Sequence, residues 1–341
     1  MILFQCDYNE GAHPKVMEKM LETNMEQTPG YGEDAHCRHA AELIRKACGD
    51  DTLAVHFLVG GTQANMTVID AALRSHQGVV SAQSGHINVH ETGAVESLGH
   101  KVLSVPHKDG KLDAGQVEQL YLAHINDDSF EHTVQPKMVY ISNPTEYGTL
   151  YSRKEIEDLS SVCRKYGLYL FMDGARLGYG LAAPDNELDL PFLSQHCDVF
   201  YIGGTKVGAL FGEAVVIANE ELKKDFRYFI KQKGGMLAKG RLLGIQFDVL
   251  FTDDLYQTIS KNAIETAAVL KKGLAGKGYS FFMDSPTNQV FIVLSNEQLA
   301  ALEGKAKFGF WEKYDDTHTV VRIATSWATR MEEVEQLLEL M

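Results

Sequence analysis

Between residues 53 and 217 short apolar runs alternate with stretches whose apolar residues recur at helical spacing. The first run, Leu53-Ala-Val-His-Phe-Leu-Val59, meets Gly60-Gly61-Thr62 and passes into a helix carrying Ala64, Val68, Ile69 and Leu73. The pattern then repeats. It predicts strands over 78–82, 101–105, 137–142, 168–172, 199–202 and 213–217, with helices from Ser84 and over 114–124 and 154–166. Short apolar strands separated by helices build βαβ units, so the expected fold class is α/β, with a mostly parallel seven-stranded sheet covered on both faces. Upstream, His13-Pro14 opens a helix with Val16, Met17, Met20 and Leu21, Pro29-Gly-Tyr-Gly32 breaks it, and a second helix is expected over 35–47. After Lys231-Gln-Lys-Gly-Gly235 the character changes. Helical periodicity runs over 239–274, then strands are expected at 280–282, 289–294, 307–311 and 319–323, closed by a helix over 331–340. The expected organisation is an N-terminal segment (1–12), a large α/β domain (13–254) and a small C-terminal α+β domain (255–341).

Length agrees with two cores, since 341 residues exceed what one core usually supports. The formal charge of −14, from 46 acidic against 32 basic residues, disfavours a nucleic-acid backbone or an anionic membrane as partner. No apolar run approaches the ~18 residues of a membrane span, and Met1-Ile-Leu-Phe-Gln-Cys-Asp7 has no positive segment before an apolar core, so a membrane anchor or export by that route is not expected. Five cysteines without a Cys-x-x-Cys pair speak against disulfide and zinc frameworks and for a reducing cytoplasm.

Two strand patterns end in complementary groups. Leu168-Tyr-Leu-Phe-Met172 leads to Asp173-Gly-Ala-Arg176, and Val199-Phe-Tyr-Ile202 leads through Gly203-Gly204-Thr205 to Lys206. An acid and a lysine delivered from neighbouring strand ends suit pyridoxal phosphate: the lysine holds the aldehyde as a Schiff base and the carboxylate keeps the pyridine nitrogen protonated. Most lysines are solvated, but one leaving a glycine-rich turn beside cations would be biased towards the neutral amine. Thr205 could add a hydrogen bond to the phosphate. Gly60-Gly61-Thr62 is either a phosphate cradle at a helix N-terminus or, more commonly for so short a motif, a tight turn with a threonine cap. Asp173 is a helix cap or a buried functional carboxylate, Gly174 would let a ring approach the backbone, and Arg176 can reach the same side of the turn. His86 and His90 are four apart with Glu91 beside them. That spacing is neither His-Glu-x-x-His nor His-x-x-Glu-His, so zinc is a minor alternative to an imidazole stacked on the cofactor, with Glu91 orienting it. Arg322 interrupts the apolar run Val320-Val-Arg-Ile-Ala324, and either an internal acid or a substrate carboxylate must pair it.

Tyr31-Gly-Glu-Asp34, Gly61-Thr62-x-Ala-Asn65, Gly85-His86 with Glu91, Asp173-Gly-Ala-Arg-Leu177 and Thr325-Ser-Trp-Ala-Thr329 together resemble the signatures of the low-specificity threonine aldolases. That group belongs to the fold-type I pyridoxal-phosphate enzymes, alongside the β-eliminating lyases. The resemblance runs from Asp7 to Trp327. It implies Lys206 as the Schiff-base lysine, Asp173 on the pyridine nitrogen, Gly60, Gly61 and Thr62 at the phosphate, and His86 stacked on the ring. It further implies Arg176 and Arg322, with Asp7 and Tyr31, around the substrate, and His132, eleven residues before Asn143, as a second histidine near the substrate hydroxyl. Departures are Gly-Thr-Lys-Val around Lys206, Ile141-Ser-Asn-Pro144, and Lys233-Gly-Gly-Met-Leu-Ala-Lys239. The implied reaction is cleavage of a β-hydroxy-α-amino acid to glycine and an aldehyde; β-elimination on the same cofactor, or a cofactor-binding protein without activity, are the rivals. Because Tyr31 and the loop after the lysine tend to complete a neighbouring subunit's site in that family, a homodimer or homotetramer is implied.

Overall fold

Every apolar run between residues 53 and 217 becomes a strand of one sheet. The computed structural model describes residues 1–341. Its strands are β1 (Ile2–Phe4), β2 (Ala54–Leu58), β3 (Gln77–Ala82), β4 (Lys101–Val105), β5 (Gln135–Ser142), β6 (Tyr169–Asp173), β7 (Val199–Gly203), β8 (Glu213–Ile217), β9 (Ser280–Met283), β10 (Gln289–Ser295), β11 (Ala306–Lys313) and β12 (His318–Ala324). The seven-stranded sheet has the order β2-β8-β7-β6-β5-β3-β4. All neighbours are parallel except β8, which runs antiparallel to both β2 and β7. The link from β7 to β8 is too short for a crossover helix, so the chain can only turn back on itself.

Alternation along each central strand fills two cores. Met138, Tyr140, Phe171, Val199 and Tyr201 pack on one face, while Val139, Ile141, Leu170, Met172, Phe200 and Ile202 pack on the other. Helices cover both faces, and their ends follow from local sequence. Asp34 caps Ala35–Cys48 by accepting from Cys37 N at 2.9 Å, and Gly49 ends that helix in the left-handed region at φ 68°. Ser152 and Glu155 close a reciprocal capping box on Arg153–Tyr166.

The second sheet has the order β1-β11-β12-β10-β9. It packs Phe4, Val290, Ile292, Val321 and Ile323 against Ala267, Leu270 and Leu274 of Leu255–Gly276 and Val334 and Leu337 of Met331–Leu340. The apolar start of the chain is itself a strand, pairing parallel with β11. Three residues are too few for a periodicity to be read. The helical periodicity over 239–274 is interrupted: Arg241–Leu250 and Leu255–Gly276 are separate helices, with Asp253 and Asp254 at φ 52° and 55° between them. The helix expected from Ser84 lasts one turn, His86–Val89, because Thr92 and Gly93 turn the chain through positive φ. The carboxyl ends of β2, β3, β5, β6 and β7, and the amino end of antiparallel β8, share one edge of the large sheet. Ligands of open α/β sheets bind at that edge.

Candidate active site

Asp173 is the last residue of β6, and Lys206 follows β7 by three residues. Both line a cleft of about 290 Å³ at the shared edge, together with Gly60, Gly61, Thr62, His86, Arg176 and Thr205. The adjacent register of β5, β6 and β7 therefore brings together residues far apart in the chain.

Asp173 is buried and fully engaged. Oδ2 accepts from Tyr140 Oη at 2.6 Å and Asn65 Nδ2 at 3.3 Å, and Oδ1 accepts from Ala175 N at 2.9 Å. Burial alone would raise its pKa, but His86, the Tyr140 and Tyr201 hydroxyls and the Ala175 N–H outweigh it and hold the group below the usual carboxylate value. An ionised carboxylate there can accept a hydrogen bond from a protonated heteroaromatic nitrogen, holding its proton and its orientation. Gly174 serves packing, not the approach of a ring: a Cβ there would lie 1.9 Å from the Tyr201 carbonyl oxygen.

Lys206 Nζ makes no hydrogen bond or ion pair with the protein, and the Tyr8 ring centroid lies 6.0 Å away. Burial, followed by the Arg176 charge, lowers its pKa to about 8. About a tenth of the amine is thus neutral and nucleophilic at pH 7, and about half at pH 8.

Helix Gly61–Ala72 begins at Gly60 with no side-chain cap, which leaves the N–H groups of Gly61, Thr62 and Gln63 without an acceptor at the cleft. Gly61 is closely approached, since a Cβ would sit 3.0 Å from Tyr201 Oη, tighter than an ordinary contact. Thr205 Oγ1 accepts from Gly212 N at 3.0 Å and so is shared with the turn it sits on. His86 directs Nδ1 to Glu91 Oε1 at 2.7 Å, and Glu91 also accepts from Asn65 Nδ2 at 2.7 Å. A carboxylate at Nδ1 fixes the proton there and leaves Nε2 as acceptor. Asn65 links this pair to Asp173.

The two arginines differ. Arg176 is braced by Asp7 through two of its three nitrogens, with Nε to Oδ2 at 2.6 Å and Nη2 to Oδ1 at 3.0 Å, and Asn288 Nδ2 donates to the same carboxylate at 2.9 Å. Burial would raise the Asp7 pKa, but Arg176, Lys206 and Arg322 hold it far below the usual range. Asp7 therefore positions Arg176 and does not itself meet substrate, a correction to the expectation that it is a substrate ligand. Arg322 meets only Gln289 Oε1 at 3.1 Å and the Gln5 carbonyl at 3.4 Å, and its buried Nε has no partner. No protein acid pairs it, so the internal salt bridge left open by the sequence is absent.

Four expected residues do not line the cleft: Asp7 and Arg322, which act electrostatically on Arg176 from beside it, and His132 and Tyr31, which lie elsewhere. His132 ends an exposed turn, Phe130–His132, before the amino end of β5, whereas the cleft lies beyond its carboxyl end. The eight residues of β5 intervene, a span of about 26 Å. The spacing to Asn143 placed His132 correctly in the chain, but that spacing is taken up by the length of a strand. Tyr31, with φ 62° and 47% exposure, lines a separate cavity with Arg38, Arg227 and Met236. Residues missed from sequence are Tyr140, Glu146 and Glu213. They sit on or beside apolar strand ends where nothing local distinguishes an acid or phenol of the site from a capping group. Glu146 Oε1 accepts from His86 N at 3.0 Å and Ser142 Oγ at 2.8 Å.

Pyridoxal phosphate suits this donor set: unpaired helix N–H groups for a phosphate, an ionised acid for a pyridine nitrogen, and a free amine for an aldehyde. Fold and cleft together define a fold-type I pyridoxal-phosphate enzyme. The comparisons narrow this further. Residues 5–297 match the family described as β-eliminating lyase, and the chain belongs to that family. It is 30% identical, over 98% of its length and 95% of the relative's, to the low specificity L-threonine aldolase of Pseudomonas aeruginosa. A solved threonine aldolase from Leishmania major is 44% identical and superposes with a TM-score of 0.97, covering 100% of this chain and 98% of that one. A Thermus thermophilus aspartate aminotransferase, 15% identical with a TM-score of 0.73 over 100% of this chain and 90% of that one, shares the fold. No helix is long and apolar enough to cross a membrane.

Proposed function

We propose that the protein is a pyridoxal-phosphate-dependent carbon–carbon lyase that cleaves threonine, allo-threonine or a related β-hydroxy-α-amino acid to glycine and an aldehyde. The observation that carries this reading is Arg322, a half-buried guanidinium beside the Arg176–Asp7 pair and itself ion-paired with no acid. A substrate carboxylate supplies the missing partner. The bound cofactor supplies an electron sink for the bond that breaks at the α-carbon.

The side chains divide the remaining work. The N–H groups of Gly61 and Thr62 hold the phosphate, Asp173 holds the proton on the ring nitrogen, and Lys206 anchors the aldehyde. Arg322, with Arg176 braced by Asp7, would fix the substrate carboxylate and hence the orientation of the bonds at the α-carbon. His86 Nε2, with Nδ1 tied to Glu91, is oriented to accept the β-hydroxyl proton. Tyr31 lies exposed beside the segment that follows the lysine, which supports a homodimer or homotetramer in which it serves a partner copy's cleft. The acidic, unpaired-cysteine composition supports the cytoplasm as its location.

Purified protein given pyridoxal phosphate and threonine, allo-threonine, phenylserine or serine should release glycine and an aldehyde. Ammonia and the 2-oxo acid of unchanged carbon count, 2-oxobutanoate from threonine or pyruvate from serine, would instead assign β-elimination, and neither set of products would sink both readings. Arg322→Gln should raise KM for threonine roughly 10- to 100-fold, the worth of a charge-assisted hydrogen bond of about 1.5–3 kcal/mol, with a smaller effect on kcat. An unchanged KM would remove Arg322 from the carboxylate site.

A further inference from the structure

Glu213 opens β8, paired with Leu58 at the end of β2 and Gly203 at the end of β7. The uncapped turn Gly60–Thr62 follows β2 by one residue, and Lys206 follows β7. The acid therefore lies between the anion cradle and the lysine, and it lines the same cleft as both. It is 3% exposed. The protein gives its carboxylate little: Oε2 accepts from Gly204 N at 3.3 Å, and the Thr205 hydroxyl is the other donor beside it. No arginine pairs with it.

An ionised carboxylate there would face a phosphate dianion on the cradle and the Asp173 carboxylate near by. Lys206 is the one ammonium beside it, and it is the group that would hold the aldehyde. The charged and titratable groups sharing the cleft are Lys206, Asp173, Arg176, His86, Glu146, Tyr8 and Tyr201. Burial, offset in part by Lys206 and the Thr205 hydroxyl, raises the Glu213 pKa to about 8. The group carries its proton across most of the neutral range.

We propose that Glu213 acts as a protonated acid that donates a hydrogen bond to the cofactor's phosphate ester, making phosphate recognition by this cleft dependent on a proton held by the protein. The inference rests on the cofactor assignment above. Loss of that proton turns a donor into a repelling charge, so affinity for the phosphate group is full below the Glu213 titration and falls as pH rises through it. The phosphate monoester is already doubly ionised above pH 7 and adds no titration of its own there.

The test compares apoprotein affinity for pyridoxal phosphate and for pyridoxal, by absorbance titration between pH 7 and pH 9. Both ligands use Lys206, so its titration cancels in the ratio of the two dissociation constants. In the natural chain the preference for the phosphorylated form should fall about tenfold over this range, as expected for one group titrating near pH 8. Glu213→Gln, which keeps a donor but cannot ionise, should show a flat ratio; Glu213→Ala should lower the preference at pH 7 and also be flat. A flat ratio in the natural chain, which needs no variant to fold, overturns the proposal, as does the same slope in Glu213→Gln. Failure to bind either ligand, or to release aldehyde, would instead overturn the function proposed above.

Discussion

Lys206→Ala is expected to leave a folded protein that no longer forms the visible absorption band of a lysine-bound cofactor, with turnover of threonine reduced roughly 10³-fold or more. The side chain makes no hydrogen bond or ion pair, so its removal costs little packing and strands no partner. What it removes is the covalent anchor and the amine that releases product. Because burial and Arg176 depress its pKa to about 8, the natural protein should gain reactivity towards the aldehyde as pH rises through that value. The band measured against pH in the natural chain, and its absence in the variant, check the assignment together. A variant that kept both band and turnover would remove Lys206 from the chemistry.

Asp173→Asn tests the other half of the pair. The amide is nearly isosteric and can still accept from Ala175, but it cannot hold a proton on a pyridine nitrogen by charge, and it meets two donors, Tyr140 and Asn65, with one amide too many. A fall of roughly 10²- to 10³-fold in kcat is expected, the scale on which a single preorganised electrostatic contact acts, together with about 1–3 kcal/mol of stability for the unsatisfied buried groups. Thermal unfolding of the apoprotein separates the two effects. A loss of stability with kcat intact would make Asp173 a structural acid only.

How far such roles were legible depended on whether the signal was local. The large sheet was readable because β5, β6, β7 and β8 are buried on both faces and so appear as unbroken apolar runs between capped helices. The acid closes β6 and the lysine follows β7 by three residues, so both lay within a few positions of a legible strand end. Pairings between distant segments carried no such mark. Arg176 looked like a free guanidinium because Asp7 stands 169 residues away in sequence. Arg322 was undecided for the same reason in reverse, since no local pattern says that an acid is missing. Glu213 follows a glycine and opens a strand, the usual place for an unremarkable polar residue. His132 shows the limit of spacing as evidence: an eleven-residue interval fixes position along the chain, and an extended strand turns that interval into distance.

The bond between Asp7 and Asn288 has a mechanical consequence. Asp7 leaves β1 of the five-stranded sheet, Asn288 precedes β10 of the same sheet, and together they grip an arginine that belongs to the seven-stranded one. Arg322 is carried by the five-stranded layer directly. Two guanidinium groups from different layers are thus tied to the same five-stranded sheet, so that, on the function proposed above, the grip on an incoming α-amino acid stands ready before it arrives.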